Sequence, residues 1–307
     1  MTPLQSFILG IVEGVTEYLP VSSTGHLILT SWLLGLGKDQ AHKEAVDAFE
    51  VIIQAGAIFA VIGLYRATLV QMARGVKWRL SRRGVLAAGP MRDGWVLARN
   101  VVVAFLPAAL AGVLLAKPIK QHLFHPWPVV AALAVGGLAM LFIAPWQKRV
   151  NLAHANGAPA RMTLARMSMG HATFIGCMQC VAMWPGTSRS LMTIVAGLII
   201  GLRAVDAAKF SFLLGLVTLT AASGKDAVGV MFPKDPTAQH FLELIGGWLP
   251  LIMGLAAAWA SAALAVDLFV AYLGRHTLAL FGWWRLALAA VFAAALLWYG
   301  NGPTIAP

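Results

Sequence analysis

Charge is scarce in this chain. Its 23 Lys+Arg and 12 Asp+Glu make up 11% of 307 residues, less than half of the roughly 25% that a soluble domain carries. With 59% hydrophobic residues and a mean hydropathy of +0.77, a water-soluble globule would have too little polar surface to cover its core, and a multi-spanning membrane protein is the class that remains. Cysteine is nearly absent: Cys177 and Cys180 set no disulfide framework and leave the redox compartment open. Acids are scarcer than bases, for a net charge of +11. In a soluble protein that excess would suggest nucleic acid; here no nucleic-acid partner is expected, and the charge is read loop by loop as a topology signal. The opening residues MTPLQSF lack a basic region and no small-residue cleavage site follows, so no removable signal peptide is expected.

What the chain has in abundance is apolar runs. Stretches long enough to cross a bilayer, at about 20 residues each, cover 49–66, 94–115, 127–146, 208–230, 246–270 and 281–300. Two more, 3–34 and 168–202, are interrupted by Pro20 and Pro185 with hydroxyl residues just after. Each is expected to be two half-helices joined inside the membrane, and such broken backbone is tolerated only beside protein or a wet cavity. Residues 66–92 carry Arg66, Arg74, Lys77, Arg79, Arg82, Arg83 and Arg92 with no acid, and 147–167 carry Lys148, Arg149, Arg161 and Arg166, again without an acid. Both connections should be cytoplasmic. The segment 116–126 and both termini are then expected outside, although Lys38, Lys43 and Arg275 test that count only lightly. Trp283-Trp284 near a membrane entry fits either an interfacial belt or a buried aromatic contact.

An internal repeat links the two broken stretches. Allowing one gap before the proline, Gly10, Glu13, Pro20, Ser22 and Ser23 align with Gly176, Gln179, Pro185, Thr187 and Ser188, and AFEVIIQAGAIFAV (48–61) with KFSFLLGLVTLTAA (209–222). The charge-derived topology sets the two halves in opposite orientations, as in an inverted repeat whose broken helices meet near the midplane.

The polar residues inside these apolar stretches are the candidate site. Glu13 and Glu17 lie one helical turn apart. They are either solvated at an outer interface or share a cavity, cation or proton, since two bare carboxylates among Leu, Ile and Val would be costly. Ser22, Ser23, Thr24, Gly25 and His26 follow the first break, and free amides opening the next half-helix would form an anion site there; taken singly, the hydroxyls read as helix caps. After the second break, Arg189 sits among Thr187, Ser188 and Ser190. It either snorkels to lipid head groups or, with the hydroxyls and helix-terminal amides, binds a phosphate or diphosphate. If the halves meet, Glu13, Glu17, Ser23, His26 and Arg189 share one pocket, which then needs a divalent cation or a protonated carboxylate beside the phosphate.

Other polar residues have plainer readings. Glu50 and Gln54 are either outer support for the site or an interfacial helix start. Lys209, Lys225 and Asp226 flank a crossing, the last two as an ordinary ion pair. Cys177-x-x-Cys180 has redox spacing without a redox fold around it, and His171 is badly placed to complete a zinc set. Gly10-x-x-x-Gly14 is a close-packing motif.

The run GIVEGVTEYLPVSSTGHLIL, then FEVIIQAGAIFAV, FIGCMQCVAMWPGTSRS and KFSFLLG, resembles the undecaprenyl-diphosphatase family of the bacitracin-resistance type across about residues 4–300. The resemblance implies an all-α polytopic membrane protein, with six transmembrane helices plus two re-entrant helical hairpins (about 3–34 and 168–202) in an inverted-topology repeat. One integral membrane domain would span 1–307, with halves at about 1–115 and 127–300. It implies hydrolysis of undecaprenyl diphosphate to undecaprenyl phosphate and orthophosphate, recycling the lipid carrier for cell-wall synthesis and giving bacitracin resistance. The setting implied is the bacterial inner membrane, with the site open to the periplasm.

Carried onto this sequence, the family's motifs match Glu13 and Glu17, then Ser22, Ser23 and His26, then Ser188, Arg189, Ser190 and Thr193. Catalysis is expected from Glu17, Ser23, His26 and Arg189, and substrate binding from Ser22, Thr24, Thr187, Ser188, Arg189, Ser190 and Thr193. Glu13 and Glu17 are expected to hold a divalent cation, Mg2+ or Ca2+. Thr187 stands where a Phe is frequent, Leu191-Met192 replace a Gly-Ala pair and Lys209 replaces an acid; these bear on pocket shape and pH response. Either Ser23, deprotonated by Glu17 or His26, or an activated water attacks the terminal phosphate. The expected partners are undecaprenyl diphosphate, membrane lipids and a second copy of the chain in a homodimer. A polyprenyl-phosphate transporter or flippase is the alternative, since inverted repeats with broken helices also mark transporters.

Overall fold

The computed structural model describes residues 1–37, 39–81, 89–123, 125–157, 159–231 and 241–299, which form helices and no strand. Lys38, Arg82, Arg83 and the C-terminal residues invoked for topology lie outside the described residues, as do the side chains of Lys225 and Asp226.

Six helices are long and apolar enough to cross a membrane, over Ala41–Leu64, Pro90–Leu115, Pro126–Ala153, Ala204–Gly224, Trp248–Leu273 and Ala279–Trp298. The chain is a multi-pass membrane protein. The helices carrying these spans are α3 (Gln40–Leu64), α5 (Pro90–Leu123), α6 (Pro126–Ala155), α9 (Ala204–Met231), α11 (Trp248–Leu273) and α12 (Ala279–Tyr299). The expected 49–66 span begins eight residues earlier, because Asp39 caps α3 by accepting from the His42 amide and carries the helix through the polar turn around His42 and Lys43. Helix α5 runs on through Pro107 and Pro118, and α6 through Pro145.

Four further helices, in two consecutive pairs, are each too short to cross alone. Helix α1 (Pro3–Glu17) leads to α2 (Ser23–Leu33), and α7 (Met169–Val181) leads to α8 (Arg189–Ile199). At 1.5 Å per residue even α1 is only about 22 Å long against a hydrocarbon core of about 30 Å. Ser22 and Ser188 cap the second member of each pair, accepting from the amides of Gly25 and Leu191, and both lie in the left-handed region at φ 73° and 76°. Left-handed backbone is strained for a serine, so two such caps after two prolines are a matched local feature. Ser22 thereby corresponds to Ser188 and Ser23 to Arg189, one residue out of step with the sequence alignment, because Gly186-Thr187 stand where Val21 stands alone.

The first members of the pairs pack alike. Gly10 and Gly14 of α1 lie so close to α11 that a Cβ would overlap the carbonyls of Gly254 and Ala258, and a Cβ on Gly176 of α7 would overlap the carbonyl of Ala104 in α5. Small residues allow such approach where lipid supplies no hydrophobic drive between helices. The main core, built around Tyr18, Ile194, Phe212 and Phe269, joins the two halves. Helix α4 (Arg66–Leu80), inside the basic connection, a 3-10 turn (Leu164–Arg166) just before α7, and the short α10 (Phe241–Ile245) complete the described helices.

Candidate active site

Pro20 and Pro185 end the first helix of each pair, and the serine caps start the second. The two breaks lie against each other: Ser190 Oγ donates to the Leu19 carbonyl at 2.9 Å. At the junction, Ser23 Oγ donates to Glu17 Oε2 at 2.6 Å, while Glu17 Oε1 accepts from Arg189 at 3.3 Å across 172 residues of chain. The sequence-predicted Glu17, Ser23 and Arg189 are thus one connected group. Arg189 also donates to the Ser211 carbonyl at 3.0 Å, its buried Nε has no hydrogen-bond partner among the described residues, and its guanidinium carbon lies 5.5 Å from the Tyr18 ring centroid. A Cβ on Gly215 would overlap the guanidinium, so the α9 backbone forms the floor beneath it.

Thr193 Oγ1 donates to the Arg189 carbonyl at 2.9 Å and lies 2.6 Å from Ser211 Oγ. Ser188 Oγ lies 3.0 Å from Ser190 Oγ. Thr187 is buried beside them, its amide donating to the Trp184 carbonyl. Thr24 is exposed, and among the described residues its side chain makes no hydrogen bond to this cluster.

His26 forms a separate arm. Trp284 Nε1 approaches its Nε2 at 2.8 Å, and its Nδ1 lies 2.7 Å from the Ser22 carbonyl. An indole N–H can only donate and a carbonyl can only accept, so His26 is the neutral tautomer with its proton on Nδ1. Its Nε2 lone pair is occupied by Trp284, and no hydrogen bond joins His26 to Ser23 or Glu17. Of the tryptophan pair, Trp284 makes this specific contact and Trp283 is 64% exposed, as an interfacial residue would be.

Glu13 is 1% exposed and neither carboxylate oxygen has a hydrogen-bond partner among the described residues. No group of three or more His, Cys, Asp or Glu that could hold a metal occurs among the described residues. Glu13, whose buried carboxylate is left unpaired among the described residues, is the residue that would hold a hard cation, a class of ion that prefers oxygen ligands. Glu50 and Gln54 accept from Ser31 and Ser223 at 2.7 Å each and so tie α3 to α2 and α9. His171 caps α7 through Ser168, and Cys177 and Cys180 are free thiols.

Arg285 was not singled out by the sequence. It is fully buried in α12 and donates to four carbonyls, those of Pro20 (3.4 Å), Gly186 (2.7 Å), Ala132 (2.9 Å) and Leu133 (3.3 Å). Two of these belong to the two breaks, so one guanidinium fastens both turns to α6. The signal was available: an arginine in the middle of an apolar span is a functional candidate by default.

A multi-pass membrane protein that joins a hydroxyl, a carboxylate and an arginine where two interrupted helix pairs touch has the equipment of a membrane enzyme acting on a phosphorylated group. The chain matches the family described as Bacitracin resistance protein BacA over residues 6–291, and it belongs to that family. It is 41% identical over 284 residues to the undecaprenyl-diphosphatase of Sorangium cellulosum (92% of this chain, 83% of the relative). It is 40% identical to those of Nitrosomonas eutropha over 288 residues (94% and 92%) and Persephonella marina over 294 residues (96% and 99%).

Proposed function

We propose that this protein hydrolyses undecaprenyl diphosphate to undecaprenyl phosphate and orthophosphate. The observation that carries the mechanism is the Ser23–Glu17–Arg189 chain of hydrogen bonds at the meeting of the two breaks. Ser23 Oγ attacks the terminal phosphorus while Glu17 takes its proton, the bond to the bridging oxygen breaks, and undecaprenyl phosphate leaves. Water then releases orthophosphate from the phosphoserine, with Glu17 again handling the proton. Geometry favours this route over base catalysis by His26, whose Nε2 is held by Trp284. Arg189, with three N–H groups left after its bonds to Glu17 and Ser211, binds the diphosphate beside the Ser188 cap of α8 and the adjoining Ser190 hydroxyl. A divalent cation at Glu13 would neutralise phosphate charge next to Glu17.

The matched serine caps and the matched close approaches of Gly10 and Gly176 support two re-entrant hairpins in an inverted repeat, within one integral domain. The halves are chemically unequal: Ser23 brings the nucleophile where the equivalent Arg189 brings the cation. An open apolar pocket of about 390 Å³ between α1 and α12, lined by Ile11, Val15, Leu280, Phe281, His26 and Trp284, suits the first isoprene units. The basic connections support a bacterial inner-membrane setting with the site open to the periplasm. Purified protein with a divalent cation and a polyprenyl diphosphate should release one orthophosphate per substrate. Transport of the lipid in vesicles without phosphate release would favour the flippase reading.

A further inference from the structure

Four arginines converge on a pocket that shares no residue with the active site. Arg79 on α4, Arg92 and Arg99 on α5, and Arg166 in the turn before α7 line an open space of about 740 Å³, with Asp93 as the carboxylate in its wall. Four positive groups against one negative leave a formal charge of +3, and among the described residues none of the four guanidiniums lies within salt-bridge distance of a carboxylate. Arg79, Arg92 and Arg166 are exposed and Arg99 is half-buried, so water screens their mutual repulsion, while the summed positive field of the pocket draws anions to it.

The arrangement is built into the packing of three elements. Helix α4 meets α5 so closely that a Cβ on Gly75 would overlap the Trp95 amide and one on Gly94 the Gln71 carbonyl, while Gln71 Nε2 donates to the Pro90 carbonyl at 3.0 Å. That contact fixes Arg79 relative to Arg92. Asn100, fully buried, donates to the Met167 carbonyl at 2.8 Å and accepts from Arg99 Nε and one terminal nitrogen at 3.2 and 3.1 Å. One buried amide thus aligns Arg99 and holds the chain beside Arg166, and the other terminal nitrogen of Arg99 has no hydrogen-bond partner among the described residues.

We propose that this pocket binds the phosphate headgroup of an anionic phospholipid on the basic face of the protein. Guanidinium forks match phosphate oxygens, and Trp78 and Trp95 in the same wall are suited to headgroup depth. Leu80, 74% exposed, and Met91, 49% exposed, adjoin the pocket in sequence and offer an acyl chain an apolar flank that a free anion would not need. The assignment is independent of the phosphatase reaction.

The test is native mass spectrometry of the full-length protein released from mixed micelles containing phosphatidylglycerol and phosphatidylcholine with the same acyl chains, in an Arg189→Ala background so that the active site does not contribute. One phosphatidylglycerol per chain should be retained in preference to phosphatidylcholine. At about fivefold per basic residue near an anionic surface, Arg92→Ala with Arg166→Ala should weaken retention about 25-fold, whereas Lys148→Ala with Arg149→Ala on the neighbouring connection should change it little. Asn100→Ala, which leaves all four charges, should weaken retention severalfold; if that variant does not fold, Arg99→Lys asks the same of the fork. Equal losses in both double variants would reduce the effect to diffuse surface charge and overturn the proposal. Absence of phosphatidylglycerol preference would overturn it as well, as would displacement of the lipid by equimolar inorganic phosphate.

Discussion

Replacing Arg285 with Met removes a buried guanidinium while keeping an apolar side chain of similar length in α12. The carbonyls of Pro20 and Gly186 then lose the only hydrogen-bond donor that the described residues give them, and each buried, unsatisfied acceptor costs about 1–3 kcal/mol. The two together cost about 2–6 kcal/mol on that scale. The Ala132 and Leu133 carbonyls lie within α6 and keep their helical partners, so they add less. For a chain of this length, at roughly 1.5 °C per kcal/mol, the apparent unfolding midpoint in detergent should fall by at least about 3 °C. Because Arg285 fastens both breaks, Ser23 and Arg189 should lose their mutual placement, and kcat should fall by more than KM rises. Arg285→Lys, which keeps the charge and reaches fewer carbonyls, should lie between the two on both measures. Scanning fluorimetry and orthophosphate release on the same preparations supply the readouts. An Arg285→Met protein with an unchanged midpoint and kcat would refute the reasoning.

Three further outcomes are expected. Arg189→Lys, which cannot hold Glu17 and the Ser211 carbonyl while also presenting a planar fork, should lower kcat about 10²-fold, or about 2.7 kcal/mol of transition-state stabilisation; near-normal kcat and KM would remove the residue from the site. Gly215→Ala, whose Cβ overlaps the guanidinium, should lower kcat about tenfold or more in a protein that still purifies as a folded species, and wild-type activity would show that the floor of the site yields. Cysteines at Arg74 and Asn156, in a background with Cys177 and Cys180 replaced by Ser, should react with an impermeant thiol reagent only after lysis; labelling in intact cells would invert the topology.

The six spans were legible because twenty apolar residues in a row have few other uses, and their ends moved where polar residues dilute hydropathy inside a capped helix, as at Asp39 to Glu50 of α3. Helix α4 was hidden for the same reason: its arginines read as a loop, although the segment is amphipathic enough to pack on α5. The site residues stood out because charge and hydroxyls are conspicuous in apolar surroundings, but their pairing was not local. The bond between Glu17 and Arg189 spans 172 residues, and that between His26 and Trp284 spans 258. Arg285 escaped because one charge in a twenty-residue span barely changes its mean hydropathy. The alignment of the two breaks slipped by one residue because identity of residue type suggested Ser23 with Ser188, whereas backbone conformation pairs Ser22 with Ser188.

The central claim is that Ser23, deprotonated by Glu17, attacks the terminal phosphorus. It is tested most directly by mixing the protein with a polyprenyl diphosphate carrying 32P in its terminal phosphate, quenching in acid within a single turnover, and mapping the label on peptides. A phosphoserine at Ser23, formed and lost at rates compatible with turnover and absent in Ser23→Ala, is the predicted result. Full turnover with no label on the protein, together with a Ser23→Ala variant that keeps its kcat, would contradict it.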